Sequence, residues 1–458
     1  MVQSVSERNV KQVQGTGVDV AARMDRLPVT ALHAAAIVLC ALGFMFDLLE
    51  IALGSVLSAV FSTPPHVVPA QQLSLLLSSV YIGAIVGAPL LGWVADRHGR
   101  RNTLMGILLW LALMSLGAAL SDDVSTLTVC RGLAGLALGA YPPIMMAYLT
   151  DMLPPSRRGM LSFVTFAIAS LGPVLGIFMI RWLTPLQPLG LEAWRWGFLV
   201  GGAGAALFGL LFRSLPESPR WLQAKGRHAE AEQACQAFER SRVVLATAPG
   251  KTAPTREDEH VAAELSQSTP GKKRWAMVGT LFLLSPWSTV AFPLLTGAIL
   301  SQKGFKISDT LLYVGLSSFG PLVGALLAST VVDRIERRVA LVGCAAAMLA
   351  SGIWFINSDA ALWLIVSSVL FSFFGFLYIS TINLYGAELF PTSTRASAIS
   401  GAWALNRLGA AAAPLVLIPL LRNGGGPSAM FAVIAATLVG TIVLLAMAPR
   451  GQQRRSVR

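Results

Sequence analysis

Apolar runs long enough to cross a membrane recur twelve times along this 458-residue sequence. A spanning helix needs about 20 predominantly apolar residues. Such runs fall at about 30–60, 71–95, 103–121, 124–150, 158–182 and 194–213, then at about 274–300, 308–331, 339–357, 360–387, 396–421 and 427–448. Backbone inside hydrocarbon must satisfy its own hydrogen bonds, so runs of this length read as helices. The pattern predicts an all-α membrane protein whose twelve transmembrane helices form two pseudo-symmetric six-helix bundles. Its expected segments are a cytoplasmic N-terminal piece (1–29), a first bundle (30–213), a central cytoplasmic loop (214–272), a second bundle (273–448) and a basic tail (449–458). Only 13% of the residues are charged, against about 25% in soluble chains.

The net charge is +12, yet the basic residues lie between apolar runs and form no single patch, which argues against nucleic acid. Arginines instead mark one side of the membrane: Arg97, Arg100 and Arg101 after span 2, Arg157 and Arg158 after span 4, Arg334, Arg337 and Arg338 after span 8. The opposite loops carry Asp122, Asp123 and Asp359. Even-numbered spans therefore end in the cytoplasm, with both termini inside. The first 28 residues are polar and the first run is long enough to remain as a helix, so no cleavable signal is read. Cys40, Cys130, Cys235 and Cys344 are expected as free thiols. Residues 221–240 suit an amphipathic helix, and 246–271 a flexible linker.

An ungapped offset of 237 aligns the two halves. It carries Asp96, Arg97, Arg100 and Arg101 onto Asp333, Arg334, Arg337 and Arg338, and Tyr148, Asp151 and Arg158 onto Tyr385, Glu388 and Arg395. Gly83 and Gly87 fall on Gly320 and Gly324. Shared charges suit the scaffold and gates common to both halves. Asp47, Glu50, Arg131 and Arg407 map to Leu284, Trp287, Ser368 and Ser170. These unmatched charges are the candidates for substrate or ion chemistry.

Gly92-Trp93-Val94-Ala95-Asp96-Arg97-His98-Gly99-Arg100-Arg101 resembles the signature between helices 2 and 3 of major facilitator transporters. Arg131-Gly132, with Gly135 and Gly139, resembles their helix 4 signature, and Pro216-Glu217-Ser218-Pro219-Arg220 the motif ending helix 6 in sugar porters and organic-ion relatives. The second copy departs from the pattern, with Glu336 where the signature has glycine. Asp47 and Glu50 resemble the paired acids of niacin-type and synaptic-vesicle-glycoprotein-like members. Asn406-Arg407-Leu408-Gly409 is similar to helix 11 of aromatic-acid:proton symporters. The resemblance implies alternating access, and by analogy with proton-coupled sugar porters it makes Asp47 and Arg131 a coupling pair.

Asp47 and Glu50, three residues apart, share a helix face. Asp47 and Arg131 are expected at similar depths, and a carboxylate beside an arginine in low dielectric can couple proton binding to release of the arginine. Glu50 is the second coupling candidate. Arg407, near the midplane, must face a cavity or a partner, and its planar fork suits a carboxylate. Tyr81, Tyr141, Trp287, Tyr378 and Trp403 are candidate cavity residues, although packing is the commoner role for mid-helix aromatics. Asp96, Arg97, Arg100, Arg101, Asp151, Arg158 and Glu217 are expected as one cytoplasmic gating cluster. Asp333, Arg334, Arg337, Arg338, Glu388 and Arg395 are expected as its twin. A fixed structural ion pair is the plainer alternative for each.

No metal-ligand spacing, nucleophile–base pair or nucleotide loop is present in the sequence, so neither an enzyme nor a cofactor is expected. The leading reading is a monomeric transporter of a small organic anion, coupled to protons, in a bacterial inner membrane. An exporter of drugs or siderophore-like metabolites shares the features. A sugar or polyol symporter is disfavoured by the scarcity of amides in spans 5 and 7.

Overall fold

A computed structural model of the chain describes residues 20–245, 272–331, 335–390 and 392–448, excluding the side chains of 328–331, 392–393 and 395–396. Among the described residues, twelve helices are long and apolar enough to cross a membrane. Spans 1–6 are Ala31–Val60, Ala70–His98, Arg100–Ala119, Val124–Met152, Pro155–Leu183 and Ala193–Ser214. Spans 7–12 are Lys272–Gln302, Ile307–Leu327, Arg337–Asn357, Ala361–Glu388, Ser397–Asn423 and Gly426–Met447. Leu113, Leu116, Leu326 and Val443 stand exposed on the flanks, as side chains facing lipid should.

Spans 5, 7 and 8 are each interrupted once, at Ser170, Val290 and Ser318. Each break lies three residues before a proline: Pro173, Pro293 and Pro321. Proline lacks an amide proton and its ring crowds the preceding turn, so the break falls in that turn and the helices resume at Leu171, Ala291 and Phe319. Gly172 and Gly176 bring span 5 close to span 1. A β-carbon on Gly172 would lie 2.1 Å from the Met45 carbonyl, and one on Gly176 2.1 Å from the Leu49 side chain.

The duplication is visible in the packing. A β-carbon on Gly83 would lie 2.0 Å from the carbonyl of Gly132; one on Gly320 would lie 2.7 Å from that of Val369. Both members of the second pair stand 237 residues beyond the first. Spans 2 and 4, and spans 8 and 10, thus approach backbone to backbone, which small residues permit.

Among the described residues between spans 6 and 7 lie two short helices, Pro219–Ala224 and His228–Glu239. Ser218 caps the first, accepting from the Trp221 amide at 3.1 Å. An N-terminal helix, Val20–Arg26, packs beside them, and Val29–Thr30 pairs antiparallel with Val243–Leu245. This face, where span 1 begins, is termed proximal, and the opposite face distal. The linker expected at 246–271 lies outside the described residues.

Candidate functional site

Two charge assemblies occupy the middle of the molecule. In the first, Arg131 Nη1 donates to Glu50 Oε1 at 3.0 Å and to the Glu50 carbonyl at 2.8 Å. Ser115 Oγ of span 3 donates to Glu50 Oε2 at 3.0 Å. The guanidinium lies 5.6 Å from the Phe198 ring. Gly54 leaves space for it, since a β-carbon there would stand 3.5 Å from Nη2. Arg131 and Glu50 are 2% and 1% exposed, so this is a closed pair within the first half.

Glu50, and not the expected Asp47, is therefore the partner of Arg131. Helix pitch supplies the reason. Three residues advance the chain by about 4.5 Å and turn the side chain by about 60°. That step moves Glu50 toward the distal end, from which Arg131 enters on span 4. Asp47 is left fully buried with neither carboxylate oxygen hydrogen-bonded.

The second assembly spans the two halves. Arg407 is the cation nearest in effect to Asp47, and Tyr81 of span 2 is a further electrostatic neighbour. No ion-pair contact joins Asp47 to Arg407, and Arg407 makes no hydrogen bond among the described residues. Its guanidinium lies 5.6 Å from the Trp403 ring. Trp403 Nε1 donates to Asn383 Oδ1 at 3.0 Å and its ring meets Phe282 edge-on. Arg407 sits mid-span yet keeps part of its surface accessible, as a side chain facing an internal opening would.

At the proximal face, Arg100 pairs with Asp151, which also accepts from Ser218 Oγ at 2.6 Å. Glu217 Oε1 accepts from the amides of Arg100, Arg101 and Ser218 at 3.0, 3.0 and 2.9 Å. It thereby caps the exposed amides that begin span 3. Gly99, at φ +100, is required here because a β-carbon would lie 2.2 Å from Glu217 Oε2. Arg101 donates to the Leu215 carbonyl at 2.8 Å, and Arg158 to that of Leu153 at 3.1 Å.

Asp96 and Arg97 stand apart from this cluster. Both are exposed; Arg97 lies 5.4 Å from the Trp93 ring, and among the described residues Asp96 bonds through its carbonyl alone, to Trp221 Nε1 at 3.0 Å. The turn at Gly99 separates the end of span 2 from the start of span 3, where the paired charges lie. In their place the structure adds Asp25 and Arg220. Arg220 Nη2 donates to Asp25 Oδ1 at 2.5 Å, and its Nε to the Asp151 carbonyl at 2.9 Å. Arg158 approaches Asp25 at 4.0 Å. Asp25 carried no sequence signal, lying in a polar segment outside every motif.

In the second half Arg337 pairs with Glu388 at 3.1 Å, the 237-residue counterpart of Arg100–Asp151. Arg338 instead donates to the carbonyls of Ala446 and Ala448, at the end of span 12. Asp333, Arg334 and the side chain of Arg395 lie outside the described residues.

The Major Facilitator Superfamily model matches residues 35–414. The chain belongs to the major facilitator superfamily. This major facilitator is 24% identical over 442 residues to the niacin transporter NiaP of Acinetobacter baylyi, covering 96% of this chain and 99% of that protein. It is 27% identical over 436 residues to a gallate transporter of Pseudomonas putida, covering 91% and 92%. The xylose transporter XylE of E. coli, in a partially occluded inward-open conformation, shares its fold with TM-score 0.71 at 19% identity, covering 92% of this chain and 99% of that one. The protein is thus a multi-pass integral membrane protein and a secondary transporter of small molecules.

Among the aromatic candidates of this major facilitator, Tyr81 and Trp403 lie beside Arg407, and Tyr141 is an electrostatic neighbour of Asp47. Tyr141 donates to the Cys40 carbonyl at 3.1 Å and fills the space left by Gly43. Tyr378 is buried within the second half near Thr441 of span 12. Trp287 packs against the apolar core.

Proposed function

We propose that this protein carries a small carboxylate, with an aromatic or heterocyclic ring, across a bacterial inner membrane by proton-coupled alternating access. It would act as a monomer, with both termini in the cytoplasm. The observation carrying this reading is Arg407: a mid-span guanidinium with open surface and no hydrogen bond among the described residues, with Asp47 and Tyr81 of the other half as its electrostatic neighbours. An intramembrane cation without a fixed partner is retained for an anion, and its fork accepts a carboxylate in bidentate fashion. Trp403 and Tyr81 offer aromatic surface for the substrate ring. Asp47 then takes the coupling role expected for it, with Arg407 in place of Arg131 as the cation it answers to. When ionised it balances Arg407 and competes with substrate; when protonated it releases Arg407 to bind the carboxylate, so proton and substrate move together. Glu50 and Arg131, held to each other and to Ser115, serve to fix span 1 against spans 3 and 4. The Arg100–Asp151 and Arg337–Glu388 pairs are assigned to the proximal gates.

Similarity to the niacin and gallate transporters supports this reading, since both named substrates are aromatic carboxylates. Similarity to an arabinose-proton symporter of Bacillus subtilis, 36% identical over 160 residues, favours a sugar as the second reading. Uptake of labelled nicotinate, gallate and arabinose into proteoliposomes under an imposed pH gradient separates the two. Carboxylate uptake abolished by Arg407→Gln, together with exchange but no accumulation in Asp47→Asn, is the expected result. Uptake of arabinose alone, unaffected by Arg407→Gln, would overturn the proposal, and export of the carboxylate would reverse its direction.

A further inference from the structure

Seven side-chain hydrogen bonds between described residues join the two halves, and all seven lie toward the distal face. At the proximal face no hydrogen bond or ion pair between described residues crosses; there Phe163 packs against Leu377. Three of the seven come from Arg422, at the end of span 11. Its Nη2 donates to the Phe61 carbonyl and to Ser62 Oγ, each at 2.9 Å, and its Nη1 to the Val68 carbonyl. Ser301 of span 7 adds a bond to the Ser62 carbonyl at 3.0 Å.

The last carbonyls of a helix lack intrahelical partners, and a cation there also meets the negative end of the helix dipole. The distal helix ends of this protein use that device repeatedly. Arg195 donates to the carbonyls of Ala119 and Ser121, both at 2.7 Å, where span 3 ends. Lys303 donates to those of Ile356 and Ser358, both at 2.7 Å, where span 9 ends. These carbonyls are 237-residue counterparts, and each cation belongs to the same half as the helix it caps. Such caps survive when the halves move apart. Span 1 differs, because a cation of the other half adds to its cap: the Phe61 carbonyl accepts from the Val68 amide of its own half at 3.2 Å and also from Arg422.

We propose that Arg422 is a state-specific clasp: it caps span 1 only while the distal face is closed, and so sets the balance between distal-closed and distal-open forms. A contact made in one state alone shifts a conformational equilibrium by its full differential strength. A hydrogen bond to a charged donor, net of solvent, corresponds to about ten-fold or more in such an equilibrium. Substrate identity plays no part in this argument, so it stands or falls separately from the transport reading.

The test is electron–electron spin resonance on the full chain in nanodiscs. Labels go on Leu186→Cys and Leu362→Cys, which are exposed distal positions on opposite halves, with Cys40, Cys130, Cys235 and Cys344 replaced by alanine. The parent protein should show mainly the short distance. Arg422→Ala should raise the ratio of long to short distances about ten-fold, with Arg422→Lys between the two. Ser301→Ala should move the ratio the same way by less, and serves if Arg422→Ala does not fold. A distance distribution unchanged by Arg422→Ala, or by Ser301→Ala where only that variant folds, would overturn the clasp.

Discussion

Glu50→Ala tests the central distinction between the two acids of span 1. The substitution removes two acceptors: Oε1, bound by Arg131, and Oε2, bound by Ser115. It leaves a guanidinium that is 2% exposed with the residue-50 carbonyl as its remaining acceptor. Removing one partner of a buried ion pair costs about 3–5 kcal/mol. At about 2–4 °C per kcal/mol, the scale for domains of this size, the midpoint should fall by about 6–20 °C. Intrinsic fluorescence from the 11 tryptophans follows the transition in detergent at one fixed heating rate, since membrane proteins unfold irreversibly. Glu50→Ala combined with Arg131→Met should recover most of the loss, because the uncompensated charge is gone. Asp47→Asn breaks no protein hydrogen bond, so its midpoint should move by less than about 4 °C. The reasoning fails if Asp47→Asn is as destabilising as Glu50→Ala, or if the double variant loses the sum of the two single losses.

Two further expectations follow from local geometry. Gly83→Ala and Gly320→Ala each place a β-carbon against backbone, at 2.0 and 2.7 Å, and should reduce the yield of monodisperse protein through overpacking of about 1–3 kcal/mol. Gly92→Ala and Gly343→Ala, with nothing within 4 Å, should purify like the parent. At the proximal face Arg23 bonds Glu232 at 2.6 Å and Glu239 at 2.8 and 2.9 Å, and those bonds hold both carboxyls below their ordinary value of 4.5. A depressed carboxyl contributes stability that is complete above the unfolded value and is lost as pH falls through the folded one. Hydrogen exchange should find Val20–Arg26 protected at pH 7 and released below about pH 4.5, and the three carboxylate contacts should weaken in high salt; protection that persists at pH 3 would contradict this.

Much of the architecture was legible because its causes are local or repeated. Hydrophobic length is a property of each segment alone, so the twelve spans and their ends were readable to within a few residues. The 237-residue offset was equally accessible, and it anticipated the matched pairs Arg100–Asp151 and Arg337–Glu388. The three helix breaks were not read from the sequence, because Pro89, Pro142, Pro143, Pro286, Pro414 and Pro419 lie inside unbroken helices; only the structure revealed the common three-residue lead.

Partner choice was not readable in the same way. Whether Arg131 meets Asp47 or Glu50 depends on how span 4 is rotated and raised against span 1, and on the space left at Gly54. Those are properties of two helices packed together. The expected gating cluster likewise held Asp96 and Arg97 together with Arg100, Asp151 and Glu217, whereas the turn at Gly99 leaves the first two outside and Asp25 joins from a segment with no motif. Arg422 shows the same limit most plainly: in sequence it is a loop-edge cation, and only contact between the halves makes it the cap of a helix some 360 residues away. The sequence determined which residues are buried in a membrane and that the halves are copies, because burial and repetition are written along the chain. Tertiary structure alone decided which charges answer one another, because an ion pair is set by distance across helices that the chain order leaves free.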